Sequence, residues 1–159
     1  MRRVAVVTGG ASGIGLDIAQ NLQSSGYTAV AFDINVPPVE AEMPHIYCDV
    51  SDERKVRAAF AELAEKYGDC ELLVNNSGLQ YMAPTEDFPL DKWNQLIGVM
   101  LTGTFLCSRE VIPNMKKNKY GRIINITSIH GKVASPFKVA YVSAKHGVHG
   151  LTKVMAKEL

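Results

Sequence analysis

Short apolar runs alternate along the chain with stretches in which apolar residues recur three or four positions apart. The apolar runs predict five β-strands, at residues 3–8, 27–32, 45–48, 71–74 and 122–126. Strands that alternate with helices are typical of parallel pairing through right-handed crossovers. The runs are apolar at successive positions, as expected in a sheet that helices cover on both faces. The pattern therefore predicts an open, parallel α/β sheet.

The amphipathic stretches predict the helices between these strands. The first begins after the glycine-rich residues 9–15 and ends at Ser25, before Gly26, and the last runs from about Val139 to the final residue. The helix after the third strand begins at Ser51 or Asp52, either of which can act as its N-cap. The three prolines between the second and third strands predict a short, irregular crossover there: Pro37, Pro38 and Pro44.

Composition narrows the class of protein. The chain has 159 residues, 17 basic and 16 acidic side chains and 47% apolar residues. Its net charge of +1 provides no electrostatic attraction for nucleic acid or for an acidic membrane surface. The longest apolar runs are far shorter than the roughly 20 residues of a membrane-spanning helix. The three cysteines (Cys48, Cys70 and Cys107) form no metal-binding or disulfide pattern, which favours buried thiols in a cytoplasmic protein without a metal site.

Small or polar residues follow every predicted strand, at the sheet edge where α/β proteins bind ligands. The first strand runs into a turn that contains Gly9, Ser12, Gly13, Ile14 and Gly15. Glycines let backbone N–H groups approach a pyrophosphate at the N-terminus of the following helix. The alternative is a plain glycine turn, but a location between a strand and a helix favours dinucleotide binding.

Acidic residues follow the next two strands. Asp33 ends the second strand, 18 residues after Gly15, where a carboxylate can accept both ribose hydroxyls of NAD and would repel the 2′-phosphate of NADP. No basic residue follows in 34–36, so the expected cofactor is NAD. Asp49 and Val50 could hold the adenine, although Asp49 could instead cap a helix, and Asp33 could be a turn aspartate.

Tyr141 and Lys145 are four residues apart on the last predicted helix and therefore share one face. An ammonium beside a phenol favours the phenolate, which makes tyrosine a better acid–base group near neutral pH. Ser128 ends the fifth strand 13 residues earlier and could hydrogen-bond the oxygen that Tyr141 protonates. An aromatic anchor beside a solvated lysine is the simpler alternative for the pair alone.

Taken in order, these motifs resemble the short-chain dehydrogenase/reductase family over the whole chain. The resemblance implies a Rossmann-type doubly wound sheet of strand order 3-2-1-4-5 and hydride transfer between NAD and a secondary alcohol or ketone. It implies that Tyr141 is the general acid/base, that Ser128 steadies the substrate oxygen, and that Lys145 lowers the pKa of the tyrosine. It further implies a set of cofactor-binding residues: Gly9, Ser12, Gly13, Ile14, Gly15, Asp33, Asp49, Val50, Asn75, Tyr141 and Lys145.

Residues 78–89 and 123–153 are similar to the bacterial D-3-hydroxybutyrate dehydrogenases of that family. The resemblance implies that Gln80, His130 and Lys138 bind the carboxylate of a small anionic substrate. Each has a plainer alternative: a loop residue, a cap or packing histidine, and a surface charge. The chain departs from the family at Met100, where the family has a helix asparagine that holds a water between the catalytic lysine and solvent. Either the proton then reaches solvent by another route, or turnover is reduced.

The leading expectation is an NAD-dependent oxidoreductase acting on a small hydroxy acid, with D-3-hydroxybutyrate as the best guess. The alternatives are another short-chain reductase, of 3-oxoacyl-thioester or sugar-alcohol type, and a non-catalytic nucleotide-binding remnant. The resemblance also implies a dimer or tetramer of identical chains. The last helical pattern reaches Leu159 without a stop signal, and six strands are common in this fold. We therefore expect a single domain over 1–159 that is incomplete at its C-terminus and lacks the final strands.

Overall fold

A computed structural model describes residues 3–159 as one five-stranded sheet with helices on both faces. The strands are β1 (Arg3–Thr8), β2 (Tyr27–Asp33), β3 (His45–Tyr47), β4 (Cys70–Asn75) and β5 (Arg122–Asn125). All four strand pairings are parallel and the order is β3-β2-β1-β4-β5. The predicted architecture and strand order are therefore confirmed, with strand ends that differ by one residue at most from those expected.

The helices are α1 (Gly13–Ser24), α2 (Glu53–Lys66), α3 (Leu90–Ile97), α4 (Gly103–Asn118) and α5 (Val139–Glu158). Of the two candidate N-caps of α2, Ser51 and Asp52, the structure shows Asp52 in this role. Its carboxylate accepts from the backbone N–H groups of Arg54 and Lys55. The hydroxyl of Ser51 donates instead to Asp49. The crossover after β2 is irregular, as the prolines predict, and contains one short helical turn at Val39–Ala41.

Successive strand residues point to opposite faces of the sheet, and this divides the core into two layers. Val4 and Val6 of β1 pack with α2 and α4 on one face. Ala5 and Val7 pack with α1 on the other. Because residues of both sets are buried, the continuous apolar pattern of β1 follows directly from its central place in the sheet.

The helical rod Leu90–Asn118 spans 29 residues and contains a wider π turn at Gly98–Thr102, which joins α3 to α4. The hydroxyl of Thr104 donates to the carbonyl oxygen of Met100 at 2.7 Å, within this wider turn. By length and composition alone, this rod could cross a membrane. Its buried residues pack on the sheet and on α5, and core helices of soluble proteins meet the same criterion.

Candidate dinucleotide and catalytic site

A cleft of about 460 Å³ lies at the carboxyl ends of β1, β2, β3 and β4. Its lining includes six of the residues predicted to bind the cofactor: Gly9, Ser12, Ile14, Gly15, Asp33 and Asp49. It also includes residues that were not predicted to bind the cofactor: Ile34, Asn35, Cys48, Ser51, Asn76, Ser77, Gly78, Leu79, Gln95 and Val99. Parallel strands bring residues from distant parts of the chain to one edge, which is why this cleft forms.

The glycine turn is closed by contacts that leave no space for side chains. A Cβ at Gly15 would lie 2.0 Å from the carbonyl oxygen of Gly9 and 2.6 Å from Nδ2 of Asn76. Gly9 itself has a φ of +65°, in the left-handed region that favours glycine. Glycine is therefore required at both positions for the turn to keep this shape.

The first turn of α1 fits a pyrophosphate. Among the described residues, Ser12 makes no side-chain capping bond to α1, and the first turn carries no acidic residue. Its backbone N–H groups are thus available to an anion, which the helix dipole also favours. A Cβ built at Gly13 meets no described atom within 4 Å, and Ile14 is exposed, so the approach to these N–H groups is open.

Asp33 is held at the mouth of the cleft by backbone donors. Its Oδ2 accepts from the N–H of Ala11 at 3.1 Å, and its Oδ1 accepts from the N–H of Asn35 at 2.9 Å. These bonds tie the end of β2 to the glycine turn of β1. The carboxylate is therefore fixed beside the turn, where a ribose attached to the bound pyrophosphate would lie.

Asp49 and Val50 differ in their placement. Asp49 lines the cleft, and its Oδ1 accepts from both the N–H and the hydroxyl of Ser51. The side chain of Val50 is buried in the core layer between the sheet and helices α2 and α4, and it does not line the cleft. A contact between Val50 and an adenine in this cleft could be made only by the backbone.

The side chain of Asn75 does not line the cleft. It is buried on the face of the sheet that α4 covers, where Nδ2 donates to Ser108 at 3.2 Å and to Oδ1 of Asn125 at 2.9 Å. The following residue, Asn76, faces the cleft and donates from Nδ2 to the carbonyl oxygens of Thr8 and Gly9. Successive strand residues point to opposite faces, so the motif could not show which asparagine faces the cleft.

The three predicted catalytic residues lie on two segments that are bonded together. Nζ of Lys145 donates to the carbonyl oxygen of Ile126 at 2.8 Å and lies 5.7 Å from the ring centroid of Tyr141. Burial lowers the pKa of Lys145. Ser128, two residues beyond Ile126, accepts from the N–H of His130 at 3.1 Å. The bond between Lys145 and Ile126 therefore places the serine segment beside the Tyr141 face of α5.

Of the predicted substrate residues, His130 lies against this group, and Lys138 and Gln80 lie on two segments that are bonded to each other. The ring of His130 stands edge-on to that of Tyr141, with 6.3 Å between centroids. Lys138 lies directly before α5, and the N–H of Ala83 donates to the carbonyl oxygen of Phe137. That bond brings the loop that carries Gln80, which is exposed, to the segment that carries Lys138.

Met100 is buried in an apolar cluster behind the tyrosine. It is 1% exposed and packs with Leu96 of α3 and with Ala140 and Ala144 of α5, and Tyr141 lies against the same cluster. A thioether offers only a weak acceptor and no donor, so this side chain cannot perform the hydrogen bonding of an amide. The departure noted in the sequence therefore produces an apolar wall.

The cysteines are buried, as their pattern indicates. Burial, with smaller contributions from Asp49 and Asp33, raises the pKa of Cys48 to about 12, so the thiol in the cleft stays protonated at neutral pH. Within residues 3–159, no three potential metal ligands come together.

Sequence comparison agrees with this geometry. A model of the short chain dehydrogenase family matches residues 3–159. The chain is also 42% identical to the D-beta-hydroxybutyrate dehydrogenase of Rhizobium meliloti (strain 1021), over 100% of this chain and 66% of that protein. The chain therefore belongs to the short chain dehydrogenase family, and it spans slightly less than two thirds of that relative's length.

Solved structures of related enzymes have the same fold. The ligand-free aldohexose dehydrogenase of Thermoplasma acidophilum superposes with a TM-score of 0.94 at 34% identity, over 99% of this chain and 62% of that one. A gluconate 5-dehydrogenase from Burkholderia cenocepacia J2315, solved with NADP and tartrate, gives a TM-score of 0.90 at 34% identity, over 98% and 65%. The chain is thus shorter than these relatives, while the part it contains is structurally equivalent.

Replacing Gly15 with alanine tests the role of the glycine turn. We expect Gly15→Ala to lose binding of dinucleotide and to lower stability, because the added Cβ would collide with the carbonyl oxygen of Gly9. Calorimetric titration with NAD and urea unfolding measure the two effects. Gly150→Ala is the matched control: it lies in α5, where a Cβ meets no described atom within 4 Å, and should gain about 0.5–1 kcal/mol. Unchanged binding in Gly15→Ala would contradict the role of the turn.

Proposed function

We propose that this protein is an NAD-dependent oxidoreductase that interconverts a small secondary alcohol and its ketone. The observation that carries the proposal is that the cleft and the segments that carry Ser128, Tyr141 and Lys145 lie at the same edge of a single sheet. Hydride transfer to or from the substrate carbon is the chemistry that a nicotinamide dinucleotide supplies when bound. The chain's own residues must then bind the cofactor and move the proton.

Tyr141 is the residue that exchanges a proton with the substrate oxygen. Nζ of Lys145 lies 5.7 Å from the centroid of its ring, so a positive charge stands beside the phenol. The carbonyl oxygen of Ile126 holds that ammonium in place. Ser128 hydrogen-bonds the same substrate oxygen and so orients the carbon toward the cofactor.

NAD is favoured over NADP by the fixed carboxylate of Asp33. Ala11 and Asn35 hold the carboxylate beside the glycine turn, where a 2′-phosphate would meet a like charge. The gluconate 5-dehydrogenase that resembles this chain was solved with NADP, so cofactor choice differs within the family and must come from local residues.

D-3-hydroxybutyrate is the proposed substrate, on the basis of the similarity to the Rhizobium meliloti enzyme and the residues around Tyr141. The ring of His130 lies beside that tyrosine and Lys138 directly precedes its helix, so both can bind a carboxylate of the substrate. Gln80 on the facing loop adds a polar donor. Another short-chain reductase remains the nearest alternative, and a sugar acid would present the same kind of carboxylate.

A nucleotide-binding remnant without turnover is the alternative from a different class. The apolar surroundings of Met100 favour it. It predicts NAD binding without NADH formation, which calorimetry and absorbance at the NADH band distinguish. We also propose a cytoplasmic protein that forms a dimer or tetramer of identical chains, which light scattering during size exclusion measures.

Tyr141→Phe tests the acid–base role. We expect turnover with D-3-hydroxybutyrate to fall by about 10²–10⁴-fold, because only the phenol oxygen can carry the proton, with NAD affinity unchanged. NADH formation and calorimetric titration measure the two quantities. Tyr120→Phe, at an exposed tyrosine distant from the site, is the control and should keep full activity. Retention of most of the rate in Tyr141→Phe would refute the assignment.

Asp33→Asn tests cofactor selectivity without requiring turnover. Removing the negative charge should improve the affinity for NADP relative to NAD by about tenfold or more, since a like-charge contact of about 1.4 kcal/mol is relieved. Titrations with both dinucleotides measure the ratio, and Asp17→Asn on the exposed side of α1 is the control. A wild-type protein that binds both equally would contradict the proposal.

Lys138→Ala tests the carboxylate contact. We expect kcat/KM for D-3-hydroxybutyrate to fall by roughly ten- to a hundredfold, the value of one charge-assisted hydrogen bond, while neutral secondary alcohols are unaffected. Lys132→Ala, at an exposed lysine of the same segment, should match the wild type. Equal losses for the anionic and neutral substrates would show that Lys138 does not bind a carboxylate.

A further inference from the structure

Three residues other than glycine have a positive φ among residues 3–159, and one of them does not end a helix. Glu42 (φ +46°) and Lys119 (φ +54°) are the C-caps of the short helical turn Val39–Ala41 and of α4. A left-handed residue is common there, because it lets the last carbonyl groups of a helix find partners. Phe137 (φ +64°) instead lies in the turn before α5, where no helix end requires this conformation.

The backbone conformation of Phe137 is unfavourable for its side chain. Pro136 and Phe137 form a turn, and a proline followed by a residue of positive φ is the pattern of a type II turn. Glycine or asparagine is the usual second residue of that pair, because the Cβ of a larger residue crowds the backbone in the left-handed region. A phenylalanine at this position therefore strains the backbone, and glycine would relieve the strain.

Burial of the ring does not compensate for this strain. Phe137 is 53% exposed, and it belongs to none of the three core clusters that residues 3–159 form. Exposure alone would need no explanation, since single apolar residues are common on protein surfaces. An exposed ring on a strained backbone is different, because local strain of this kind is concentrated at functional sites.

Phe137 lies among the residues proposed to bind the substrate. It directly precedes Lys138 and is four residues before Tyr141. Its carbonyl oxygen accepts at 3.0 Å from the N–H of Ala83, on the loop that carries Gln80. The backbone of Phe137 is therefore tied to both of these segments, which carry two of the predicted carboxylate ligands.

We propose that Phe137 is a specificity-determining residue whose ring contacts the carbon chain of the substrate, beside the carboxylate that Lys138 binds. A small hydroxy acid has a charged end, which needs a cation, and a short hydrocarbon part, which gains free energy by leaving water. The exposed ring next to Lys138 supplies the apolar surface for the hydrocarbon part. The inference rests on the proposed function, because it takes the substrate to be an anion that binds at Tyr141.

A role for the backbone alone would not account for the ring. Glycine at residue 137 could keep the same φ and the same bond to Ala83 without strain. The side chain is thus the part of Phe137 that the turn does not require. Contact with a ligand explains both its presence and its exposure.

Unfolding temperatures separate the strain from the ring. Phe137→Ala and Phe137→Gly both remove the ring, but only the glycine variant also removes the Cβ that crowds the backbone. We expect Phe137→Gly to melt about 2–4 °C above Phe137→Ala. Lys119→Gly and Lys119→Ala, at an exposed left-handed residue that ends α4, should differ by the same amount. A Phe137→Gly variant that melts at or below Phe137→Ala would overturn the argument from strain.

Binding of acetoacetate to the NAD-loaded protein tests the contact without requiring turnover. Acetoacetate is the ketone of D-3-hydroxybutyrate, and it cannot react with NAD because both are the oxidised forms. We expect calorimetric titration to show about tenfold weaker binding in Phe137→Ala and Phe137→Gly alike, because both lack the apolar surface. Phe137→Leu keeps an apolar side chain and should recover most of the affinity. Lys119→Ala should match the wild type, and none of these variants should change the affinity for NAD.

In the active protein, the same loss should appear in KM. Phe137→Gly should raise KM for D-3-hydroxybutyrate about tenfold and leave kcat unchanged, because the ring contacts a part of the substrate that does not react. A fall in kcat at unchanged KM would contradict the assignment.

The outcomes distinguish this contact from the proposed function. Equal affinity for acetoacetate in the wild type, Phe137→Ala and Phe137→Gly would overturn the contact and leave the oxidoreductase proposal intact. A wild type that binds NAD but no acetoacetate would overturn the proposed substrate and, with it, the contact. A wild type that binds neither would overturn the proposed function as well. Weaker acetoacetate binding in both variants, with the glycine variant the more stable of the two, is the result that supports the proposal.

Discussion

The hydrogen bonds between the ends of β1 and β4 hold the cleft in shape. The hydroxyl of Thr8 accepts from the N–H groups of Asn76 and Ser77 at 3.0 and 3.1 Å. The side chain of Asn76 donates in return to the carbonyl oxygens of Thr8 and Gly9. These two strands leave the sheet side by side, and without these bonds their first loop residues would have unpaired backbone groups. The glycine turn can approach Asn76 so closely only because Gly15 has no side chain.

A second connection, between β5 and α5, places the proton-transfer residues relative to that cleft. A lysine ammonium buried among helices is costly unless its charge is satisfied, and the carbonyl oxygen of Ile126 provides an acceptor. The same bond joins the strand end that leads to Ser128 with the helix face that carries Tyr141. Burial lowers the pKa of Lys145, because removing the ammonium from water destabilises its charged form. This is the energetic cost of placing the amine beside the phenol ring.

Most of the fold could be predicted from the sequence because burial on both faces leaves a strong signal. Val4 to Val7 are apolar at every position, and the glycines after them mark the turn. The π turn around Met100 could not be predicted, because it widens the helix while the apolar residues keep a spacing of three or four positions. The sequence could not decide whether Ser51 or Asp52 is the N-cap of α2, because either side chain can reach the first N–H groups of the helix. In the structure, Ser51 bonds instead to a local partner, the carboxylate of Asp49 two residues earlier.

The site residues, like the fold, could be predicted from the sequence only in part. Residue types and spacing indicated Asp33, Ser128, Tyr141 and Lys145, and the structure brings the last three together. The motif could not assign the direction of a side chain at a strand end. In the structure, the side chain of Asn75 packs on the α4 side of the sheet and that of Asn76 faces the cleft. A strand that ends one residue earlier or later reverses that assignment. The replacement of an asparagine by Met100 is visible in the sequence, but the apolar cluster around it includes Ala140 and Ala144 of α5, which come 40 and 44 residues later. The physical meaning of a departure from a family motif therefore lies in the partners that surround it.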